Sequence, residues 1–426
     1  MREIRPVRPD EIDDFQEIYL NAYPAYKDLD EACYDYYRCK NLLDMETDKD
    51  VEFLGCYEDG ALIATMKIVR FTMNLYGEMK PVCALMALGV HRLHKKQHAA
   101  LDMVREFERR TKESRGLVCL LLPFTIAFYR RMGYGLGTRL DEYRLPTAQL
   151  PAYDPHAYIR QLTLRILSLQ DVSRMISCYD AICEKNHGML CKFSEEKRLM
   201  AKDQATRRIG VFDGDRLIGY LSYDILSDHP TNYTRNTLSA KELVYEDGQV
   251  LRLLLDFIRR QRDLAAYCIL RTGEEDFYHI LSDPTDRSGN YIDFGYLQTN
   301  LSAVGTMYKI PDPLAFVRET AYARFPADEL TALFQYSEAL SGQAGKVAIR
   351  FTGGRWRPAS EAEADRPDIT VALSEGDLAS LFLGSCSLTS LIRLGQIRIK
   401  SKDPAYAARL STLLRPEQKP WSNNDY

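Results

Sequence analysis

One succession of turns and apolar runs occurs twice along this chain, and it restricts the fold more than any other feature. In the first occurrence, Val51 to Tyr57 and Ala61 to Phe71 flank Glu58-Asp59-Gly60, a hairpin signature. Val82 to Val90 reads as a further strand. Lys96 to Ser114 reads as a helix carrying Leu101, Val104 and Phe107 on one face, with Arg115-Gly116 as its stop. Leu117 to Leu122 is then a short buried strand ended by Pro123. In the second occurrence, Arg207 to Asp224 folds back at Asp213-Gly214, and Leu238 to Tyr245 is a strand. Val250 to Gln261 is an amphipathic helix and Ala265 to Arg271 a strand. The expected fold is therefore α+β, with two copies of a mixed unit, the second a worn version of the first.

The flanking segments set the domain count. Asp10 to Ala22 carries Ile12, Phe15, Ile18 and Tyr19 at helical spacing, with Asp10 placed as an N-cap. Pro146 and Pro151 close the first block, and Pro311-Asp312-Pro313 reads as a linker. Beyond Leu314 come strands at Lys346 to Phe351 and Asp368 to Leu373, then helices at Glu375 to Phe382, Leu388 to Leu394 and Pro404 to Leu414. The tail from Lys419 to Tyr426 is extended and ends on an aromatic residue, which suggests docking. At about 150 residues per domain, the boundaries fall at residues 1–146, 147–310 and 311–426.

Charge and composition narrow the partners. With 56 basic and 60 acidic residues the net charge is −4, which removes the positive field that non-specific nucleic-acid binding needs. A small polar or cationic ligand is the better expectation. No apolar run approaches the roughly 18 residues of a membrane span. Met1-Arg2-Glu3-Ile4-Arg5 lacks the apolar core of a secretory signal, and the ten cysteines form no CxxC pair, so reduced thiols in a cytoplasmic protein are expected.

The chemistry is expected where Leu88-Gly89-Val90 leads through His91-Arg92-Leu93-His94 into Lys95-Lys96-Gln97-His98-Ala99-Ala100 and a helix. Backbone N–H groups at a helix start, with added lysines, suit a pyrophosphate. Taken alone, the same segment also reads as a solvated basic turn. Its placement resembles the pyrophosphate loop of GCN5-related N-acetyltransferases (GNATs): Gln or Arg, two variable residues, Gly, one variable residue, then Gly or Ala. Lys95, His98 and Ala100 stand at the three fixed positions, so His98 replaces the first glycine. A Cβ there hinders close backbone approach, while an imidazole can donate to phosphate. Downstream, Phe124-Thr125-Ile126-Ala127-Phe128-Tyr129-Arg130-Arg131-Met132-Gly133-Tyr134 resembles the element on which these enzymes carry a phenol beside the thioester sulfur, against the alternative of simple core packing. Two sets tempt a metal reading: His91, His94 and His98, and Cys183, His187 and Cys191. Neither has a standard structural-zinc spacing, so both read as structural, with no metal.

End to end, the chain resembles the enhanced intracellular survival (Eis) family of acetyltransferases. The match rests on the loop and Tyr129 element, on Val304 to Asp312, on Asp368 to Val371 with Ala379 to Gly384, and on the tail. The resemblance implies two tandem GNAT folds, the second without a working coenzyme site, followed by a sterol-carrier-protein-2-like α/β domain. It implies acetyl-CoA as cosubstrate and primary amines, aminoglycosides or lysine side chains, as acceptors. Tyr129 is then the general acid, the α-carboxylate of Tyr426 the base, and Asp425, Phe124 and Met86 substrate-binding positions. A homo-oligomer, a hexamer in the family, is likewise implied. The competing expectation is a binding protein for an amphipathic or lipid-like ligand, in which His98 has abolished coenzyme binding.

Overall fold

The computed structural model describes residues 2–23, 30–289, 292, 294–415 and 419–422. From the N-terminus come β1 (Arg2–Pro6), α1 (Ile12–Ala22), α2 (Glu31–Thr47), β2 (Val51–Glu58), β3 (Ala61–Leu75) and β4 (Glu78–Val90). α3 (Ala99–Glu113), β5 (Cys119–Leu121), α4 (Ile126–Arg130) and β6 (Gly135–Leu136) follow. The middle of the chain forms β7 (Arg139–Pro146), β8 (Thr163–Ile166), α5 (Val172–Cys183), α6 (Ser194–Lys202), β9 (Arg207–Asp213) and β10 (Arg216–Ser227). It continues with β11 (Asn236–Tyr245), α7 (Gly248–Arg260), β12 (Tyr267–Thr272) and β13 (Leu301–Val304). The last third holds β14 (Met307–Lys309), α8 (Pro313–Glu319), β15 (Leu330–Ser337), β16 (Ala344–Thr352), β17 (Arg355–Pro358) and α9 (Glu361–Ala364). β18 (Ile369–Ala372), α10 (Glu375–Phe382), α11 (Leu388–Arg393), β19 (Arg398–Ser401) and α12 (Ala405–Leu413) end it.

The described residues form two compact units, 2–137 with 306–419 and 138–305 with 420–422. In the first, seven strands run in the order β1-β2-β3-β4-β5-β14-β6. Within this sheet β4 and β5 are parallel and the other neighbours antiparallel. The β2–β3 turn forms as read, because Asp59 and Gly60 both take positive φ, 52° and 86°, the geometry that lets a two-residue turn follow the twist of its strands. The second unit's sheet, β13-β7-β12-β11-β10-β9-β8, repeats the plan with its one parallel pair between β11 and β12. Its core is sealed by α7, whose Val250, Leu254, Leu255 and Ile258 are fully buried. At roughly 1.5–3 kcal/mol per buried side chain, that face rather than helix propensity holds α7 in place.

Each sheet is completed by a strand from a distant stretch of sequence. Arg139–Pro146, expected with the N-terminal domain, pairs with β12 and β13 in the second sheet. Met307–Lys309, expected with the second domain, lies between β5 and β6 in the first. The proline pair read as a linker is a helix start: the Asp312 side chain accepts from Ala315 N, and Pro313 takes the first helical position, where its missing N–H costs nothing. At α1 the cap is Glu11 rather than Asp10, and its carboxylate is taken by Arg5 and Tyr57.

A third sheet, β17-β16-β15-β18-β19, belongs to the first unit. Its interior is aromatic. Trp356, 1% exposed, has Phe325, Phe382, Phe316 and Phe351 at 4.8, 5.6, 6.2 and 6.3 Å between ring centroids. Tyr76, at the tip of the β3–β4 hairpin with φ 55°, adds its ring at 5.9 Å from Trp356 and donates its hydroxyl to the Phe382 carbonyl oxygen.

Candidate active site

The site begins with a defect in β4. Thr65 pairs with Gly89 but Lys67 with Met86, so Ala87 and Leu88 together oppose Met66, and Ala87 takes φ 52°. Such a bulge bends the strand and re-aims its groups. On its other side β4 pairs with β5 at two positions, Cys83 with Cys119 and Ala84 with Leu120. Among the described residues, no strand accompanies β4 there from Leu85 to Val90. A strand edge without a neighbouring strand can take an extended ligand by β-augmentation.

The loop beyond the edge carries two residues in the left-handed conformation. A 3-10 turn at Arg92–His94 leads to Lys95, then Lys96 at φ 66° and His98 at φ 65°, the residue preceding α3. Residues 95–98 are exposed, whereas Ala99 is buried and Ala100 half-buried. The left-handed conformation at His98 explains why glycine is usual there, since a side chain in that region costs about 1–2 kcal/mol. Histidine adopts it nonetheless, so the backbone of the loop keeps its course. Gly89 has a packing role: a Cβ on it would come within 3.2 Å of the Ile18 carbonyl oxygen and the Ala22 side chain. It lets α1 lie against β4.

Tyr129 lies on α4, a five-residue helix, and is 7% exposed. Its main-chain oxygen accepts from Met132 N and Tyr134 N at 2.9 and 3.1 Å, in a turn closed by Gly133 at φ 88°. Burial, and to a smaller extent the neighbouring Tyr23 phenol, push its hydroxyl well above the ordinary value, so it holds its proton across the physiological range.

Tyr23, not singled out by the sequence, connects these parts. It follows α1 directly, its hydroxyl donates to Leu88 O at 3.3 Å, and its ring meets Phe124 edge-on at 6.0 Å. Tyr19 and Tyr37 extend the aromatic surface, with centroids 5.4 Å from Tyr23 to Tyr19 and 6.2 Å from Tyr19 to Tyr37. The structure thus brings Leu88, Phe124 and Tyr129 together around Tyr23. Met86 is half-buried on β4, two residues before the bulged Leu88.

Asp425 and Tyr426 lie outside the described residues. The preceding segment packs on the second unit: Trp421 N donates to His187 O at 2.9 Å, and the indole lies 6.0 Å from the Tyr245 ring. Among the described residues no three His, Cys, Asp or Glu side chains are grouped to hold a metal. His94 instead faces Glu58 at 3.7 Å, and the Cys183 and Cys191 sulfurs lie 3.9 Å apart.

Known proteins resemble the chain in sequence and in fold. Residues 3–137 match the acetyltransferase (GNAT) domain, and residues 320–423 match the sterol carrier protein domain. The chain is 23% identical over 377 residues to an uncharacterised N-acetyltransferase of Streptomyces avermitilis, covering 81% of this chain and 82% of that one. A probable N-acyltransferase from Enterococcus faecalis superposes with a TM-score of 0.79 at 14% identity, over 100% of both chains. Eis1 from Mycobacterium abscessus does so with a TM-score of 0.74 at 18% identity, again over 100% of both. Residues 3–137, which hold the bulged strand, the loop and the buried phenol, thus form a GNAT acyltransferase domain. More particularly, the chain carries a GNAT domain and a sterol carrier protein domain on a fold that it shares over its full length with Eis1, with two related mixed sheets ahead of the third.

Proposed function

We propose that the chain is an acetyl-CoA-dependent N-acetyltransferase for primary amines of aminoglycoside or lysine type. The observation that carries this reading is the convergence of Tyr23, Leu88, Phe124 and Tyr129 at the unpaired edge of β4. Lys95, Lys96, Gln97, His98, Ala99 and Ala100 would hold the coenzyme's pyrophosphate, and the edge of Leu88, Gly89 and Val90 its pantetheine. When bound, acetyl-CoA supplies an activated acetyl group; no metal is needed. Domain roles follow: the catalytic site belongs to residues 2–137 with β14, residues 138–305 are a coenzyme-free copy, and the sterol-carrier-like domain begins near residue 320.

The chain's own residues divide the remaining work. Tyr129 gives its proton to the departing thiolate, for which a neutral phenol is suited. The bulge at Ala87 and Leu88 turns main-chain groups toward the reacting carbonyl. The Tyr426 carboxylate, with an ordinary α-carboxyl pKa of about 3.3 to 3.7, takes the ammonium proton through water. Asp425 attracts the cationic acceptor, and Phe124, Met86 and the rings of Tyr19 and Tyr23 line its approach. We place this enzyme in the cytoplasm as a homo-oligomer, a hexamer by analogy with its family.

The reading as a lipid-like binder is less favoured, because Trp356, Phe382 and Tyr76 pack on one another in the apolar interior of the third sheet. Mass spectrometry of kanamycin, spermidine and a lysine peptide incubated with acetyl-CoA and protein tests the proposal. Addition of one or more acetyl groups to at least one amine is expected, and unmodified amines throughout would refute it.

A further inference from the structure

Lys309 stands 180 residues after Tyr129 in the chain, on the strand that completes the first sheet, yet it sits directly behind the Tyr129 turn. Its side chain is 3% exposed. Its ammonium group donates to Met132 O at 2.9 Å, and it is paired with Glu108 of α3 at 2.9 Å and with Glu375 of α10 at 3.2 Å. All three of its donors are thereby used, each on a different element.

Those elements are the ones the reaction would need to hold in register. α3 begins at the coenzyme loop. Met132 belongs to the turn whose N–H groups fix the main-chain oxygen of Tyr129. α10 belongs to the sterol-carrier-like domain, and its approach is close: a Cβ on Gly135 would stand 2.0 Å from Gly376 O, and one on Gly133 2.2 Å from the Glu375 carboxylate. Ser380 Oγ also donates to Leu136 O at 2.8 Å, and Glu375 accepts from Ala339 N at 3.0 Å.

A lysine buried between two carboxylates is not a cheap way to stabilise a fold, since each of these groups that stays charged away from water costs several kcal/mol before any pairing is counted. Apolar residues would fill the same space. What the ions supply is direction, because a charged donor on a carbonyl oxygen fixes the position of that oxygen more tightly than packing does.

We propose that Lys309, held by Glu108 and Glu375, is a positioning residue for Tyr129, and that the C-terminal domain acts in catalysis by presenting Glu375 to it. This rests on the reading of Tyr129 as the general acid. It gives the sterol-carrier-like domain a role that requires no lipid.

A double-mutant cycle between Glu375→Gln and Tyr129→Phe tests it, with kcat, KM for acetyl-CoA and melting temperature recorded for each variant. Glu375→Gln keeps the shape and an acceptor oxygen but removes one charge from the cluster. In the Tyr129 enzyme it should lower kcat about tenfold with KM changed less than about twofold, and it should cause no further loss in the Tyr129→Phe background. Equal losses in both backgrounds, or a lower melting temperature with unchanged kcat, would overturn the proposal. A silent Tyr129→Phe would instead overturn the general-acid reading, so the two failures are told apart. Lys309→Met is the harsher variant; if it does not fold, the Glu375→Gln cycle decides alone.

Discussion

The Tyr23 hydroxyl donates to the carbonyl oxygen of Leu88 at 3.3 Å, fastening the end of α1 to the bulge of β4. Tyr129 is held above the ordinary phenol value mainly by burial and to a smaller extent by the Tyr23 phenol, so Tyr23 bonds to the strand edge and also acts electrostatically on Tyr129. Removing a neutral hydrogen bond of this kind costs about 1 kcal/mol. Tyr23→Phe should therefore lower kcat/KM about fivefold. Kinetics at saturating and limiting amine check it, and an unchanged kcat/KM would leave Tyr23 a packing residue.

Coenzyme affinity should depend on charge in the loop and little on His98. Since His98 already adopts the left-handed conformation, His98→Gly leaves the backbone course intact, and Kd should change by less than about threefold. Reversing both charges, Lys95→Glu with Lys96→Glu, should weaken binding more than about tenfold at low salt and less at high salt. Calorimetry should give one site per chain. Two sites, or one that survives the charge reversal, would place the coenzyme elsewhere.

The Lys309 cluster predicts a pH dependence of stability. Burial, with added repulsion from Glu375, pushes the Glu108 carboxyl up to about 7 from an ordinary 4.5, even with Lys309 beside it. A carboxyl raised on folding contributes stability that is complete below pH 4.5 and is lost as pH rises through 7. Wild type should thus lose up to about 3 kcal/mol relative to Glu108→Gln between pH 4.5 and pH 8. Urea unfolding of both proteins across that range measures the difference; a gap that stays constant or widens in favour of wild type would contradict the assignment.

The tail should matter to turnover. Trp421 is held by His187 and Tyr245, and five further residues lead from it to Tyr426. Adding a short polar extension after Tyr426 moves the terminal carboxylate without disturbing Trp421. The extended protein should bind acetyl-CoA normally and lose at least about tenfold in kcat, within the usual range for a general base. Equal turnover would remove Tyr426 from the reaction.

Local signals in the sequence led to the parts of the fold that local physics decides. Asp59-Gly60 forms its turn because the residue types favour positive φ, and the Lys95 to Ala100 loop and Tyr129 lie next to elements with clear periodicity. α2 has no apolar stripe to mark it in the sequence because its fully buried positions are polar: Asn41 and Asp44 face Lys67, with Nζ 2.7 Å from the Asn41 oxygen. The exchange of β7 and β14 between sheets was equally invisible, since a strand's own residues do not name its partner. Tyr23 ends an ordinary amphipathic helix, and Glu108, Lys309 and Glu375 come from three remote segments, so only the folded chain brings them into one cluster.

Thiol release from acetyl-CoA, followed with and without a saturating primary amine for wild type and Tyr129→Phe side by side, decides whether Tyr129 is the acid of an amine acetylation. Wild type should show amine-dependent release and the Phe variant a loss of at least about 100-fold in kcat, with coenzyme Kd unchanged within about twofold. No amine-dependent release by wild type, or equal rates for the two proteins, would contradict that role.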